Sequence, residues 1–218
     1  MTADLEASRH EVGSWGHRSI ARARLVAEFA AGRVLDVGCS TDVYTAPIAA
    51  EGGFAVGVDL LEPMSTQGVP FLVGDALALP FRPGAFDAAL CFETLEHVPH
   101  PELALREVGR VASRVVLTVP NCDEPDEFKV AGLAFHHWVD RTHVNFFDRS
   151  SLRDLLEQEG WVVRWLGLIN PVAPEVLALT SWHLPVRLAR WVGAVCKRLP
   201  LRRRYYMTIA AVADRSVE

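Results

Sequence analysis

The sequence predicts an α/β chain built on an open, mostly parallel sheet, and three observations carry that prediction. The stretch Val34-Leu35-Asp36-Val37-Gly38-Cys39-Ser40-Thr41 reads as a short buried strand and a small-residue turn, followed by a helical run from about Asp42 to Glu51. A second apolar strand, Phe54 to Asp59, ends in an acid roughly twenty residues after Asp36. Two further strands also run into polar residues: Val69 to Gly74 leads to Asp75 and Ala76, and Phe86 to Phe92 leads to Glu93. Polar groups at four strand tips on one edge are how a ligand crevice in an open α/β sheet is built.

Each of these residue types has a physical reason to be there. Asp36 is an acid inside an apolar run, and burying a carboxylate is costly unless something pairs with it. Gly38 lets the backbone come close to a ligand, while the turn and helix N-terminus after it present backbone N–H groups. An acid in the position of Asp59 accepts hydrogen bonds from ribose hydroxyls.

The remaining chain is read in order. Residues 1–13 are polar, and Ser14 to Ala31 carries Ile20, Leu25, Val26 and Phe29 at near-helical spacing, so residues 1–31 form an N-terminal helical segment. Trp15 and His17 either close the site or belong to a surface helix with one anchoring tryptophan. Pro80, Pro83 and Gly84 make a loop, Pro101 to Ala112 a helix with proline near its start, and Arg114 to Val119 a fifth strand. Asn121 to Asn145 is a long irregular stretch holding His136, His137, Trp138, Asp140, Arg141 and His143. A helix is expected from Ser150 or Ser151 to Glu159, with a serine cap and Gly160 as its stop. Trp161 to Ile169 is the sixth strand and Tyr205 to Ala213 the last. Between them, residues 170–204 hold four prolines and two expected helices, one near Glu175 to His183 and one near Val186 to Leu199.

Composition bounds the function. A length of 218 residues, half of them hydrophobic, fits one α/β domain, residues 1–218. A net charge of −5 argues against a nucleic-acid partner. Four scattered cysteines (Cys39, Cys91, Cys122, Cys196) read as reduced, mostly buried thiols of a cytoplasmic protein. The N-terminus has no apolar signal region, and no run of 18 or more residues is free of charge or proline, so a spanning helix is not expected.

The segments VLDVGCST, GVDL, VGDALALPF and FDAALCFETLEHVPHP, in this order and spacing, resemble the class I S-adenosylmethionine-dependent methyltransferases, and among them the small ubiquinone-biosynthesis-like group. The resemblance spans roughly Arg33 to Trp165. It implies a Rossmann-like fold: a seven-stranded mostly parallel sheet with helices on both faces, the last strand antiparallel, and a helical insertion (170–204) before it. It also implies S-adenosylmethionine as cofactor, with Asp36 holding the methionine moiety and Gly38, Cys39 and Ser40 forming the turn against it. Asp59 takes the ribose, Leu60 packs on the adenine, and Asp75 and Ala76 address the adenine. Phe92 and Glu93 border the methyl group. Two positions depart from the family's usual GCGTG: Ser40, a small residue, stands for the middle glycine, and Asp42 stands where the last glycine is expected; Asp42 would instead cap the following helix.

Methyl transfer from a sulfonium is an in-line displacement, so the protein mainly supplies position, and a hydroxyl acceptor also benefits from a base. His97 and His143 are the candidate catalytic residues, with a satisfied structural histidine as the alternative at His143. Glu93, Glu96, His97 and His143 offer carboxylates and imidazoles suited to a divalent cation, and the resembled group has an acidic pair and histidine implicated in metal binding at CFETLEHVPHP. The alternative is that Glu96 and His97 hold the turn and line the pocket.

The expected function is methyl transfer to a small-molecule acceptor with an apolar portion, most simply at oxygen. Residues 170–204 would form the lid, with Leu177, Leu179, Trp182, Leu188 and Trp191 as its apolar ceiling. Its arginines are either solvated or laid on an anionic membrane as a peripheral contact or on a lipid-linked substrate, which would make the acceptor a lipid-linked molecule at the membrane surface. A rival class is a cofactor-binding regulatory protein without turnover, for which Asp42 speaks. An NAD-dependent oxidoreductase is disfavoured by the missing G-x-G-x-x-G and by the acid inside the first strand.

Overall fold

The computed structural model describes residues 19–41, 43–62, 68–123, 140–172, 185–196 and 205–216. In chain order the elements are α1 (Ile20–Phe29), β1 (Arg33–Val37), α2 (Ala46–Ala50), β2 (Phe54–Asp59), β3 (Phe71–Val73) and β4 (Ala88–Phe92). They continue with α3 (Pro101–Val111), β5 (Arg114–Pro120), α4 (Arg149–Gln158), β6 (Trp161–Val172), α5 (Val186–Cys196) and β7 (Tyr205–Arg215).

The seven strands form one sheet in the order β3-β2-β1-β4-β5-β7-β6. Every pairing is parallel except those of β7, which runs antiparallel to both β5 and β6. The expected fold class therefore stands, including the helix between β6 and β7. Strand order reverses between β1 and β4, and a ligand crevice in such a sheet lies beyond the carboxyl ends of the strands at that reversal.

The continuous apolar runs of the central strands follow from burial on both faces. Leu35 and Val37 of β1, Ala89 and Cys91 of β4, and Val115, Leu117 and Val119 of β5 face one core cluster. There they meet Ala104, Leu105, Val108 and Val111 of α3 and Leu152 and Leu156 of α4. The alternate residues Val34, Leu90, Phe92 and Val116 face the other cluster, with Ala21, Leu25 and Val26 of α1. The 3–4 spacing of buried residues on α3 is what lays that helix flat on the sheet. Each fully buried Leu or Val contributes roughly 1.5–3 kcal/mol relative to exposure.

Several boundaries differ from the sequence reading. The helix after β1 starts only at Ala46, where Pro47 presets its first turn, and Gly52 and Gly53 follow its end; Asp42 lies outside the described residues. β3 is three residues long, since Pro70 precedes it and Gly74 already turns its N–H onto the Asp59 carbonyl. Phe86 makes only an isolated bridge to Ala112, so β4 begins at Ala88. The cap of α4 is Asp148 rather than a serine: its carboxylate accepts from the Ser151 N–H, and the Ser151 hydroxyl closes a reciprocal box on the Asp148 N–H. β6 continues to Val172, so the connection to β7 is residues 173–204.

Candidate active site

The crevice is built around the reversal point. At Gly38 the chain leaves β1 with φ +71°, and a Cβ there would come within 2.5 Å of the Thr94 hydroxyl, so glycine is demanded by φ and by packing alike. The Thr94 hydroxyl donates to the Val37 carbonyl at 3.1 Å, tying the end of β1 to the residue just past β4. Gly38 donates its N–H to Val58 at 2.8 Å, which holds the turn on β2. The Asp59 carboxylate accepts from the Ser40 N–H at 2.8 Å and from the Leu61 N–H at 3.3 Å, so it is clamped by backbone on both oxygens. Leu60 beside it is 63% exposed and offers an open apolar surface. Asp75 is exposed and accepts from the Leu77 N–H at 2.9 Å, while Ala76 is partly buried against the core. Asp36 is buried within β1, and Cys39 is half-buried with its sulfur over Gly57.

Three non-glycine residues hold positive φ among the described residues: Ser40 (+46°), Glu93 (+53°) and Asn170 (+57°). Ser40 and Glu93 lie just beyond the carboxyl ends of β1 and β4, and Asn170 lies within the last residues of β6. Such conformations cost on the order of 1–3 kcal/mol and collect where function requires a fixed geometry. Glu93 is the most constrained. Its N–H donates to the Thr118 carbonyl at 2.8 Å, its carboxylate accepts from the Thr118 hydroxyl at 3.0 Å, and Arg22 of α1 lies 2.7 Å from the same oxygen.

Arg22, Tyr44 and Asn170 are site residues that the sequence did not single out. The Arg22 guanidinium lies over the Phe92 ring at 5.9 Å, and its buried Nε meets no hydrogen-bond acceptor. Tyr44 packs edge-on against Phe92 and accepts from the Ser19 N–H at 3.0 Å. The Asn170 amide accepts from the Ser19 hydroxyl and donates to Thr208. The one signal available was Arg22 itself, a cation on the otherwise apolar arc of α1.

A second group converges beyond Glu93. The Glu96 carboxylate is 1% exposed, and neither of its oxygens finds a hydrogen-bond partner among the described residues. Burial, and next the Glu93 charge, push its pKa well above the ordinary glutamate value. His97 Nε2 lies 4.0 Å from Glu96, and the His97 and His143 rings meet edge-on at 4.7 Å. His97 Nδ1 is 3.2 Å from the Thr142 carbonyl, which can only accept, so Nδ1 carries a proton and Nε2 is the nitrogen on the Glu96 side. His143 Nε2 lies 3.7 Å from Asp140, whose own carboxylate is held below the usual range by the Thr142 hydroxyl and N–H. Ligand atoms of Glu96, His97 and His143 all lie within 4.8 Å of one another. Glu93, the fourth residue of the expected set, is instead engaged by Arg22 and Thr118.

The segment that brings His143 in is tied to the turn it faces. Val144 and Asn145 donate their N–H groups to the Glu96 carbonyl, and the Asn145 amide donates to Leu95 (3.0 Å) and Val98 (2.6 Å). Burial pushes the Cys91 thiol up to about 12, with the nearby Glu96 and Asp36 carboxylates adding to it, so Cys91 offers no thiolate. Cys39 and Cys122 are half-buried, and all three are free of disulfides. Leu188 and Trp191, expected in the lid's ceiling, are 48% and 65% exposed. Trp15, His17, His136, His137, Trp138, Leu177, Leu179 and Trp182 lie outside the described residues.

A sheet of this order with an acid clamped at the tip of its second strand defines a class, that of proteins built to hold a nucleoside at the carboxyl edge. Residues 13–165 match the family model described as a methyltransferase domain, and the chain belongs to that family. It is 41% identical over 125 residues to a demethylmenaquinone methyltransferase of Roseiflexus castenholzii, covering 53% of this chain and 52% of that protein. It is 33% identical over 91 residues to a ubiquinone biosynthesis O-methyltransferase of Chromobacterium violaceum, covering 37% of this chain and 39% of that protein. The aligned part thus spans about half or less of the curated relatives. A SAM-dependent methyltransferase from Archaeoglobus fulgidus shares the fold, with a TM-score of 0.63, 20% identity, and 89% and 92% of the two chains covered. Among the described residues no helix is long and apolar enough to cross a membrane.

Proposed function

We propose that the chain transfers a methyl group from S-adenosylmethionine to a small quinone-type acceptor with an apolar portion, at a ring oxygen. The observation that carries the reading is the Asp59 carboxylate, pinned by Ser40 and Leu61 at the tip of β2 with lone pairs left for two ribose hydroxyls. The relatives named for menaquinone and ubiquinone methylation support the acceptor class.

The residues present fit the cofactor. The unpartnered Arg22 Nε is a buried donor suited to the carboxylate of the methionine moiety, beside Glu93, which suits its ammonium. Asp36 supports that end from within β1, Gly38 to Ser40 form the turn against it, and Leu60, Asp75 and Ala76 take the adenine. Phe92 borders the methyl group.

On the acceptor side, His143 is the base or positioning group, held by Asp140, while His97 presents Nε2 and the buried Glu96 lies against the acceptor oxygen. These three side chains also fit a divalent cation: two imidazoles and a buried carboxylate converge, and His97 donates its other N–H to a backbone carbonyl as ligating histidines do. When bound, a cation would polarise the acceptor oxygen.

The test is calorimetric titration with S-adenosylmethionine, followed by S-adenosylhomocysteine release against hydroxylated naphthoquinones and benzoquinones. Micromolar binding with turnover is expected. Absence of binding would overturn the reading, and binding without turnover on the whole series would favour the regulatory alternative.

A further inference from the structure

We propose that α5 docks the protein on an anionic lipid bilayer, lying in the headgroup region rather than crossing it. The inference rests on the reading above only in one respect, that an apolar acceptor is most concentrated in a membrane.

Charge is the first observation. Residues 186–204 hold seven of the chain's 22 Lys and Arg and none of its 27 Asp and Glu, within a chain of net charge −5. A basic segment on an acidic protein sets the orientation of approach to a negative surface, since the rest of the molecule is repelled. The second observation is exposure. Trp191 is 65% exposed, Val186 52% and Leu188 48%, and Arg187 and Arg190 are exposed beside them. These apolar residues therefore do not serve the core, which α1, α3 and α4 already close over the sheet. The third is arrangement. At about 100° per residue, Leu188, Trp191 and Val192 fall on one arc of α5, and Arg187 and Arg190 on the adjoining arc. An apolar arc flanked by arginines, with tryptophan at the boundary, is the pattern of a helix that lies in the interface plane. A nucleic acid would use the arginines but gain little from Leu188 and Trp191.

The experiment is co-sedimentation of the full chain with vesicles of phosphatidylcholine alone and of phosphatidylcholine with 30 mol% phosphatidylglycerol (roughly a biological surface charge density). No cofactor is added. Partitioning at least about tenfold stronger onto the anionic vesicles is expected, with a steep fall at high salt. Arg187→Glu with Arg190→Glu, and separately Trp191→Ser, should each weaken it by about tenfold, and both changes lie on exposed positions. Equal partitioning onto the two vesicle types, or tighter binding to duplex DNA that Trp191→Ser leaves unchanged, would overturn the proposal. Turnover on a water-soluble naphthoquinone is read in parallel. Vesicle binding without turnover leaves the docking standing and removes the proposed function, whereas turnover without vesicle binding does the reverse.

Discussion

The two halves of the crevice are held together by different means. On the half proposed for the cofactor, around Gly38, Asp59 and Asp75, the organising bonds run from backbone N–H groups to the acids at the strand tips. On the half proposed for the acceptor, Glu96, His97 and His143 are placed by side chains and by a distant segment: Asn145 reaches back to Leu95 and Val98, and Thr142 to His97. The first half has its acid satisfied before any ligand arrives. The second buries a carboxylate whose oxygens find no hydrogen-bond partner among the described residues, a costly arrangement that a substrate, proton or cation relieves. A site for an invariant cofactor tolerates a rigid backbone frame, whereas a site for a variable acceptor is built from parts that can be exchanged.

Substitutions can break that contrast. Asp59→Ala should cost about 300-fold in S-adenosylmethionine affinity, from two charge-assisted hydrogen bonds at roughly 1.7 kcal/mol each. Calorimetry that found the parent's affinity in this variant would move the cofactor site elsewhere. Glu96→Gln should leave that affinity intact and lower kcat by about 100-fold, and His143→Ala should do the same. If either variant lost cofactor binding instead, the two halves would not be separable. Exhaustive chelation belongs beside this pair: unchanged kcat would remove the cation and leave the three side chains as acid–base and pocket groups.

Smaller effects sharpen the contrast. Asn145→Ala leaves two carbonyls without their donor and should lower stability by about 2 kcal/mol, or Tm by about 4–8 °C. Its kcat should fall while cofactor affinity holds, and thermal melts with and without S-adenosylhomocysteine read both. Asp148→Ala, at the far end of the same segment, should cost about 1 kcal/mol through loss of the cap of α4. The Ser151 N–H and the Ser150 hydroxyl hold the Asp148 carboxyl below its usual range, so its contribution is present above the unfolded value and lost as pH falls through the folded one. Urea unfolding should therefore show parent and variant converging in acid, and a gap that stayed constant down to pH 3 would exclude the ionised cap.

This contrast also explains what the sequence disclosed. Strands and tip acids were legible because apolar runs, small-residue turns and terminal acids are local signals. The fold class followed from them, and so did the positions of Asp59 and Glu93. The boundaries shifted where proline and glycine compete, as at Pro70 and Pro47, and where Asp148 took the cap of α4 in place of a serine. The Arg22 pair with Glu93 joins residues far apart in the chain, and no local pattern marks it. The same holds for Asn145, whose amide ties two turns that only the folded chain brings together.

The antiparallel β7 has a consequence for how the chain is made. β7 sits between β5 and β6, so those two strands have no bond to each other and wait for a strand that emerges from the ribosome only after residues 173–204. Until then β5, with six of its seven residues destined for the interior, shows an unpaired edge that invites association with other nascent chains. Lengthening the connection has little equilibrium cost, about 0.6 kcal/mol per doubling. It does prolong that open interval at about 5–20 residues per second of synthesis. Thermodynamics is thus lenient toward a long connection, and the time spent with an incomplete sheet is what limits it.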